Sequence, residues 1–410
     1  MEINKTILAT TYAVNPYKGS EDAMGWNFVC QIARFNKVIA ITRKNNQVHI
    51  ERYMHDNFKE YYKNIQFLYF DLPLWQRFWK RGSKGAMLYF WLWQRQIISF
   101  VRKQNIHFDI VHNVNFHNDW TPSYLWKLKK PFVWGPIGHH PRIPSQYLKP
   151  YKIRYWIKDR LTWLVKQLFW NASISLKKTI KKADFIFCMN SSVAIALNLN
   201  NNELAVMPSV ASEDFGCDFT KQKKKFTIIS AGRLVPLKGY DLSILAFASF
   251  LKELPINERN NCELIIIGKG PELSYYKELS VINGVSEFVK FENWMERKDL
   301  MQLFKEASVF LFPSHEGAGM VVSEALSFGL PVVCLDNCGP GEFINDSCGF
   351  TIPIQEYSKT VRALGDAISK MYQDPKLRLE LGKNARQLYE EKFHWNRRGE
   401  LLDAVYSNIL

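Results

Sequence analysis

Residues 308–333 read SVFLFPSHEGAGMVVSEALSFGLPVV and contain the unit from which the fold can be predicted. The first five residues form a short apolar run that is typical of a buried strand. The loop that follows carries Gly317 and Gly319, and residues 320–329 have the apolar spacing of a helix. A strand, a glycine loop and a helix in succession predict one repeat of a parallel α/β sheet.

The same succession recurs along the whole chain. In the second half it covers residues 226–250, 262–279, 287–307 and 330–344. In the first half, strands are predicted at residues 5–14, 37–43, 64–73, 107–117, 131–140 and 185–190. These repeats predict two Rossmann-like, doubly wound domains that face each other across a cleft. We place the first domain at residues 1–206, a lysine-rich linker at 207–224, the second domain at 225–390, and a final helix at 391–410 that packs back toward the first domain.

Length and composition indicate a globular protein with no membrane span. The 410 residues are 47% hydrophobic, which is enough to build more than one core. The longest apolar runs, such as residues 86–93, are far shorter than the roughly 20 residues that cross a bilayer, and the amino terminus lacks the pattern of a signal peptide. We therefore expect a cytoplasmic protein. Its seven cysteines have no paired CxxC spacing, which predicts reduced thiols rather than disulfides or a zinc site.

The net positive charge lies in the first half of the chain. Residues 1–206 contain 30 Lys and Arg against 12 Asp and Glu, a balance of +18, whereas the remainder contains 24 against 27, a balance of −3. Residues 74–104 and 144–184 interleave basic with aromatic side chains, and the second stretch has amphipathic helical spacing. This pattern is typical of a helix on an anionic membrane surface. The alternative is a helix that packs its apolar side into the domain. Nucleic acid is a poorer partner because no nucleic-acid motif is present.

Charged residues and glycines follow several strands of the second half. Glu316 and Glu324 are eight positions apart, a spacing that puts two carboxylates near the same face of a helix, although a surface helix with two glutamates would look the same. Amides at the start of that helix can bind an anion. Arg233 and Lys238 could neutralise a diphosphate or could be solvated loop cations. With the glycines of two neighbouring loops, they predict a sugar-nucleotide site formed by Gly232, Gly268, Gly270, Glu316, Gly317, Gly319, Met320, Val321 and Glu324.

At these residues the chain resembles the retaining glycosyltransferases of the GT-B fold, specifically glycosyltransferase family 4. The segment GRLVPLKG, residues 232–239, resembles the family's diphosphate segment, and PSHEGAGMVVSEALSFGLPVV, residues 313–333, resembles its Glu-x7-Glu motif, with Ala318 in place of an aromatic residue. The resemblance implies that Arg233 and Lys238 hold the donor diphosphate. It implies that Glu316 contacts the transferred sugar and Glu324 the ribose.

Two further segments resemble one branch of that family and suggest an acceptor side. NPYKGSEDAMGW, residues 15–26, is similar to the branch's amino-terminal glycine loop, and WGPIG, residues 134–138, is similar to a second motif that here continues into two histidines. Both predicted strands 107–117 and 131–140 end in His-containing loops, where α/β sheets collect binding groups. The predicted acceptor-side residues are Gly19, Ser20, Glu21, His117 and His139, and the two histidines join Arg233, Lys238 and Glu316 as predicted catalytic residues.

The resemblance implies transfer of a hexose from a nucleoside diphosphate sugar to a hydroxyl of a glycan acceptor, with retention and without a metal or cofactor. A basic, aromatic first half fits a lipid-linked acceptor at the inner face of the cell membrane, as in capsule, O-antigen or exopolysaccharide synthesis. Two other classes remain open at this point. One is an inactive nucleotide-sugar-binding protein, and the other is an epimerase or phosphorylase of the same fold.

Overall fold

The first part of the fold is a sheet of seven parallel strands. The structure, a computed structural model, describes residues 5–80, 82, 85–116, 118–220 and 223–410. The five inner strands are short and mostly buried apolar runs, as expected for parallel strands between two helical layers, whereas the two edge strands are partly exposed. Their order in the sheet is β3-β2-β1-β4-β5-β6-β7. The strands are β1 (Thr6–Thr10), β2 (Lys37–Thr42), β3 (Ile65–Tyr69), β4 (Ile110–Asn113), β5 (Phe132–Ile137), β6 (Phe185–Cys188) and β7 (Leu204–Val206).

A second sheet of six parallel strands has the order β10-β9-β8-β11-β12-β13. The chain enters it at β8, in its middle, runs to one edge and then returns to fill the other side. This reversal is the strand order of a doubly wound sheet, in which loops at the carboxyl ends of neighbouring strands line one crevice. The strands are β8 (Phe226–Ala231), β9 (Cys262–Ile267), β10 (Val289–Glu292), β11 (Val309–Phe312), β12 (Val332–Asp336) and β13 (Gly349–Pro353).

Helices connect these strands and cover the sheets. None of the described helices is both long enough and apolar enough to cross a bilayer. They are α1 (Ser20–Ala33), α2 (Gln47–Asp56), α3 (Leu74–Arg77), α4 (Ala86–Lys103), α5 (Ser145–Leu148), α6 (Ile153–Ala172), α7 (Ile174–Lys182), α8 (Ser191–Leu197), α9 (Tyr240–Glu253), α10 (Ile256–Arg259), α11 (Leu273–Ile282), α12 (Arg297–Glu306), α13 (Met320–Ser327), α14 (Tyr357–Gln373), α15 (Pro375–Leu388) and α16 (Trp395–Asn408).

The chain divides into two units. Unit 1 contains Met1–His139, Leu164–Ser209 and Trp395–Leu410, and unit 2 contains His140–Trp163 and Val210–His394. We expected residues 140–163 in the first domain, but they lie in unit 2. Tyr147 and Tyr151 explain this placement, because both are buried in the core of unit 2. Helix α16, which we expected to pack toward the first domain, lies in unit 1 against α1.

The predicted fold class is confirmed, since both sheets are parallel and helices alternate with strands. The strands are shorter than the apolar patterns suggested, because each predicted segment also included the first residues of the following loop. Strand β7 was not predicted. Its three residues lie at the edge of the first sheet, and their apolar run ends at Pro208, so the run is too short to indicate a strand on its own.

The two basic aromatic stretches fold differently. In residues 74–104, helix α4 packs its aromatic side into the core of unit 1 through Phe90, Trp93 and Ile97. The membrane interpretation of that helix is therefore not needed to explain its composition. In residues 144–184, helix α6 shows the opposite arrangement: its leucines are exposed and its single buried residue is Lys166.

Candidate functional site

Four loops meet at the carboxyl ends of β8, β9, β11 and β12, which are neighbours in the second sheet. Their backbones touch where glycine provides the room. A Cβ atom on Gly268 would lie 1.9 Å from the carbonyl oxygen of Gly232, and one on Gly339 would lie 2.2 Å from that of Glu316. Side chains at these two positions would separate the loops. The predicted donor-site glycines Gly232, Gly268 and Gly270 therefore serve loop-to-loop packing in this structure.

Lys238 and Glu316 form an ion pair at the centre of this loop cluster. The lysine Nζ lies 2.6 Å from Glu316 Oε2, and only 11% and 14% of the two side chains are exposed. The ammonium also lies 5.0 Å from the centre of the Phe312 ring. The structure thus brings these two predicted site residues together, 78 positions apart in the sequence.

Arg233 is the exposed cation of the same cluster. It is the second residue after β8, and its guanidinium makes no hydrogen bond or ion pair with any residue in the described ranges. A guanidinium can bind two oxygens of a phosphate at once. Arg233 therefore provides positive charge for an anionic ligand without first giving up a protein partner.

Glu316 and Glu324 do not share a helix face, which corrects the interpretation of their spacing. Helix α13 begins at Met320, so Glu316 lies in the preceding loop and only Glu324 is helical. Gly319 precedes the first helical residue, and Met320 and Val321 form the first turn, partly buried against the core. The eight positions between the two carboxylates therefore span a loop and the start of a helix, not two turns of one helix.

Glu324 is buried and is paired with a residue that the sequence analysis missed. Burial raises the pKa of the Glu324 carboxyl group, and the charge of Arg297 opposes this rise. Arg297 NH2 lies 3.0 Å from Glu324 Oε1. Arg297 is the first residue of α12, just after β10. Its position after a strand is the same signal that identified Arg233, so it could have been found by the same reasoning.

The loop between Glu316 and α13 contains a second unpredicted contact. The Gly317 amide, which we expected to bind phosphate, donates to His140 Nδ1 over 3.0 Å. His140 belongs to unit 2, whereas the predicted His139 belongs to unit 1. The His-His pair that follows WGPIG indicated a polar loop, but adjacent histidines cannot be told apart by local pattern, so which of them contacts the residue after Glu316 could not be predicted.

The predicted acceptor-side residues in the glycine loop come together in unit 1. Ser20 has a left-handed φ of 58° just after Gly19, at the start of α1. The Glu21 carboxylate accepts a hydrogen bond from the Phe116 amide over 3.3 Å. Burial raises the pKa of Glu21. His117, the next residue after Phe116, lies outside the described residues.

His139 is held in a buried cluster of charged groups in unit 1. Its Nδ1 lies 2.8 Å from Asp119 Oδ2, and Lys166 Nζ lies 3.4 Å from the other carboxylate oxygen. The Trp170 indole donates to the Asp119 backbone carbonyl over 2.9 Å and stacks against the His139 ring. His139 is 6% exposed. Its role at an acceptor remains a prediction.

The fold and the site together define the class. Two parallel α/β units with charged loops at the strand ends form the architecture of GT-B glycosyltransferases, and the solved structures of similar fold include such enzymes. WaaG, a glycosyltransferase involved in lipopolysaccharide biosynthesis, has a TM-score of 0.61 at 17% identity and covers 96% of this chain and 99% of its own. The structure of Anabaena HepE in complex with UDP and glucose has a TM-score of 0.60 at 15% identity, and the match covers 99% of this chain and 100% of that one.

The sequence match is more specific but shorter. Residues 213–388, which include every predicted donor-site residue, match the profile of the family "Glycosyl transferases group 1". D-inositol 3-phosphate glycosyltransferase of Acidothermus cellulolyticus is 30% identical over 190 residues, 45% of this chain and 41% of that protein. The capsular polysaccharide biosynthesis glycosyltransferase CapM of Staphylococcus aureus is 25% identical over 192 residues, which are 46% of this chain and 44% of that protein. The chain thus matches less than half the length of each relative, and unit 2 carries the matching segment.

Proposed function

We propose that this chain is a glycosyltransferase that moves a hexose from a nucleoside diphosphate sugar to a hydroxyl of a glycan acceptor, with retention and without a metal. One observation carries the proposal. In the segment that matches glycosyl transferases group 1, the two predicted diphosphate cations and Glu316 lie in neighbouring loops at the carboxyl ends of one parallel sheet, and Glu324 lies on the helix that follows one of these loops, paired with Arg297. Such an edge is where ligands bind in doubly wound folds.

In the proposed site, Arg233 and Lys238 neutralise the diphosphate and thereby take the place of a metal ion. Arg233 is already exposed, and Lys238 needs only to move from Glu316 toward the ligand. Glu316 then accepts hydrogen bonds from the hexose, and Glu324 from the ribose. Among the described residues, no group of three His, Cys, Asp or Glu side chains has the arrangement of a metal site. The fixed charges serve positioning and electrostatic stabilisation.

We propose that retention follows a front-face path. The bond between the anomeric carbon and the donor phosphate breaks while the bond to the acceptor oxygen forms on the same face, and the departing phosphate oxygen takes the acceptor's proton. The role proposed for Glu316 supports this choice over a covalent intermediate, because a carboxylate that accepts hydrogen bonds from the hexose hydroxyls is not placed as a nucleophile at the anomeric carbon. Proton NMR of the first product formed would distinguish an α from a β linkage, and inversion would contradict the proposed path.

Single substitutions test the diphosphate role. We expect Arg233→Ala and Lys238→Ala to lower turnover of a nucleotide sugar by orders of magnitude, since each removes charge that stabilises the leaving group. Lys252→Ala is a matched control, because Lys252 is an exposed lysine at the far end of α9. Full activity of either site variant would reject the assignment.

The same assay separates the competing classes. An inactive binding protein would bind UDP or GDP sugars without turnover, an epimerase would form product without an acceptor, and a phosphorylase would require free phosphate. A thermal-shift screen of nucleotide sugars identifies the donor first, because a bound ligand raises the melting temperature by mass action.

We further propose that the acceptor is lipid-linked, and that the protein is cytoplasmic and binds the inner face of the cell membrane. The matching relatives CapM, named for capsular polysaccharide biosynthesis, and the fold relative WaaG, named for lipopolysaccharide biosynthesis, support a cell-surface glycan. Helix α6 supports the membrane. Five apolar side chains lie on one face of this helix, because they follow one another at spacings of four, four, three and four residues. Each of them is between 46% and 69% exposed. They are Ile153, Ile157, Leu161, Leu164 and Leu168.

This apolar stripe extends over about 22 Å of helix, at 1.5 Å per residue. Lys152, Arg154 and Lys158 lie exposed beside its first half. An anionic bilayer complements both features, since leucines enter the interface and each nearby cation contributes about 1 kcal/mol. The alternative of a helix with its apolar side packed inward describes only part of α6, since Tyr155 and Trp170 pack against buried cores while the five residues of the stripe are exposed.

Liposome flotation tests the membrane proposal. We expect the protein to float with anionic vesicles at low salt, to be released at high salt, and to lose binding in Leu161→Glu and Leu164→Glu. Ile195→Glu is the control, because Ile195 is 80% exposed in the same charge-rich half of the chain but lies on α8. Equal loss in the control, or absence of flotation at low salt, would contradict the proposal.

A further inference from the structure

Hydrogen bonds from the backbone amides on both sides of the Glu316 Cα atom fix the position of this residue. Its own amide donates to Ser314 Oγ over 3.2 Å, and the following amide, that of Gly317, donates to His140 Nδ1 over 3.0 Å. The Glu316 carbonyl belongs to the same peptide group as the Gly317 amide and lies against Gly339. That peptide group therefore donates its N–H to His140, and its carbonyl oxygen packs closely against Gly339.

His140 is carried by a segment that is anchored to unit 2. Tyr147 Oη donates to Thr360 Oγ1 over 2.8 Å, and the Tyr147 ring packs edge-to-face on His315, with ring centres 5.0 Å apart. The segment thus contacts both neighbours of Glu316 in the chain, His315 through Tyr147 and Gly317 through His140. Both contacts lie inside unit 2.

We propose that His140 is a positioning residue that fixes the loop carrying Glu316 by accepting the Gly317 amide hydrogen. This inference rests on the proposed role of Glu316 at the transferred hexose. A backbone amide can only donate, so Nδ1 is the acceptor, and the neutral ring carries its proton on Nε2. The effect on the reaction follows from geometry, because a carboxylate that is displaced slightly aligns the hexose less well.

The proposal makes an acceptor atom, not the imidazole ring as such, responsible for the effect. His140→Asn retains an oxygen close to the position of Nδ1, whereas His140→Ala removes the acceptor. One hydrogen bond between uncharged groups corresponds to a change of about two- to tenfold. We therefore expect His140→Ala to lower kcat/KM for UDP- or GDP-hexoses by that factor and His140→Asn to stay within about twofold of the wild type.

Two further measurements separate positioning from general destabilisation. The affinity for UDP or GDP without a sugar should be the same in all three proteins, since Glu316 faces the hexose and not the nucleotide. In protein labelled with ¹⁵N-glycine, the Gly317 amide should be protected from hydrogen exchange in the wild type and His140→Asn, and should exchange faster in His140→Ala. The Gly317 signal is assigned by its loss in Gly317→Ala.

The outcomes distinguish this inference from the proposed function. Absence of hexose transfer by the wild-type protein would reject the function, while the exchange measurement would still decide the hydrogen bond. Unchanged Gly317 exchange in His140→Ala would overturn the inference. Equal loss of kcat/KM in His140→Ala and His140→Asn, or reduced UDP and GDP affinity in His140→Ala, would also overturn it.

Discussion

Lys166→Met tests the buried charged cluster of unit 1. Lys166 is the single buried residue of α6, and its partner Asp119 is fully buried. The two charges are 3.4 Å apart, without the alignment of a hydrogen bond, and the other oxygen of Asp119 contacts His139. The substitution retains the length and apolar stem of the side chain but removes its charge. Asp119 would then remain buried with only His139 to compensate it.

The expected loss of stability is large. At 3.4 Å and an effective dielectric constant of about 20, the attraction between unit charges is about 5 kcal/mol. Removing one partner of a buried ion pair costs about 3–5 kcal/mol, because the remaining charge keeps its desolvation penalty. A unit of about 200 residues loses about 2–4 °C of Tm for each kcal/mol. We therefore expect Lys166→Met to lower the Tm of unit 1 by at least about 6 °C.

Thermal unfolding followed by circular dichroism measures the Tm and urea unfolding measures the free energy, with Lys158→Met, which replaces an exposed lysine of the same helix, as the control. A double-mutant cycle with Asp119→Asn isolates the pair, since the double variant leaves neither charge unpaired. A Lys166→Met protein as stable as the control, or a coupling energy near zero, would refute the assignment of Lys166 as the counter-charge of Asp119.

Two other predictions concern pH. Arg297→Gln should raise the pKa of Glu324 further, so that, as the pH is lowered, the affinity for UDP and GDP begins to fall at a higher pH than in the wild type. Calorimetry from pH 5.5 to 8 measures this affinity. Unchanged affinity in Glu324→Ala would show that Glu324 does not contact the nucleotide. Stability should fall as the pH is lowered from 6.5 to about 4, because burial lowers the pKa of His112 and His315 from 6.5 to about 4. Both side chains stay neutral in the folded chain while the unfolded chain takes up protons, at a cost of about 3 kcal/mol each. The free energy of unfolding, measured at several pH values, should therefore depend less steeply on pH in His112→Gln. An unchanged dependence would contradict this cause.

Local pattern was sufficient for the fold and for half of the site. Each strand, glycine loop and helix lies within about 25 consecutive residues, so Arg233 and Lys238 could be placed after a strand from the sequence alone. Arg297 was missed although the same rule applies to it. His140 could not be assigned, because its contact with Gly317 joins positions 177 residues apart and depends on how residues 140–163 pack.

Helix α6 shows a second kind of limit. Its leucines and lysines predict an amphipathic helix, but periodicity does not state which face is turned inward. The buried Lys166 is paired with Asp119, and that pairing spans 47 positions in the sequence. Likewise, the spacing of Glu316 and Glu324 predicted one helical face, whereas the helix begins between them, at Met320.

The Lys238–Glu316 ion pair has a consequence for turnover. In the proposed reaction the donor's diphosphate binds Lys238, and its hexose hydroxyls donate hydrogen bonds to Glu316. One bound molecule therefore supplies partners for both residues. A nucleoside diphosphate without its sugar satisfies only the lysine and leaves a mostly buried carboxylate without a partner. Reclosure of the ion pair would therefore oppose the product more than the substrate, because only the substrate gives Glu316 new partners. In the proposed reaction this difference favours departure of the spent nucleotide.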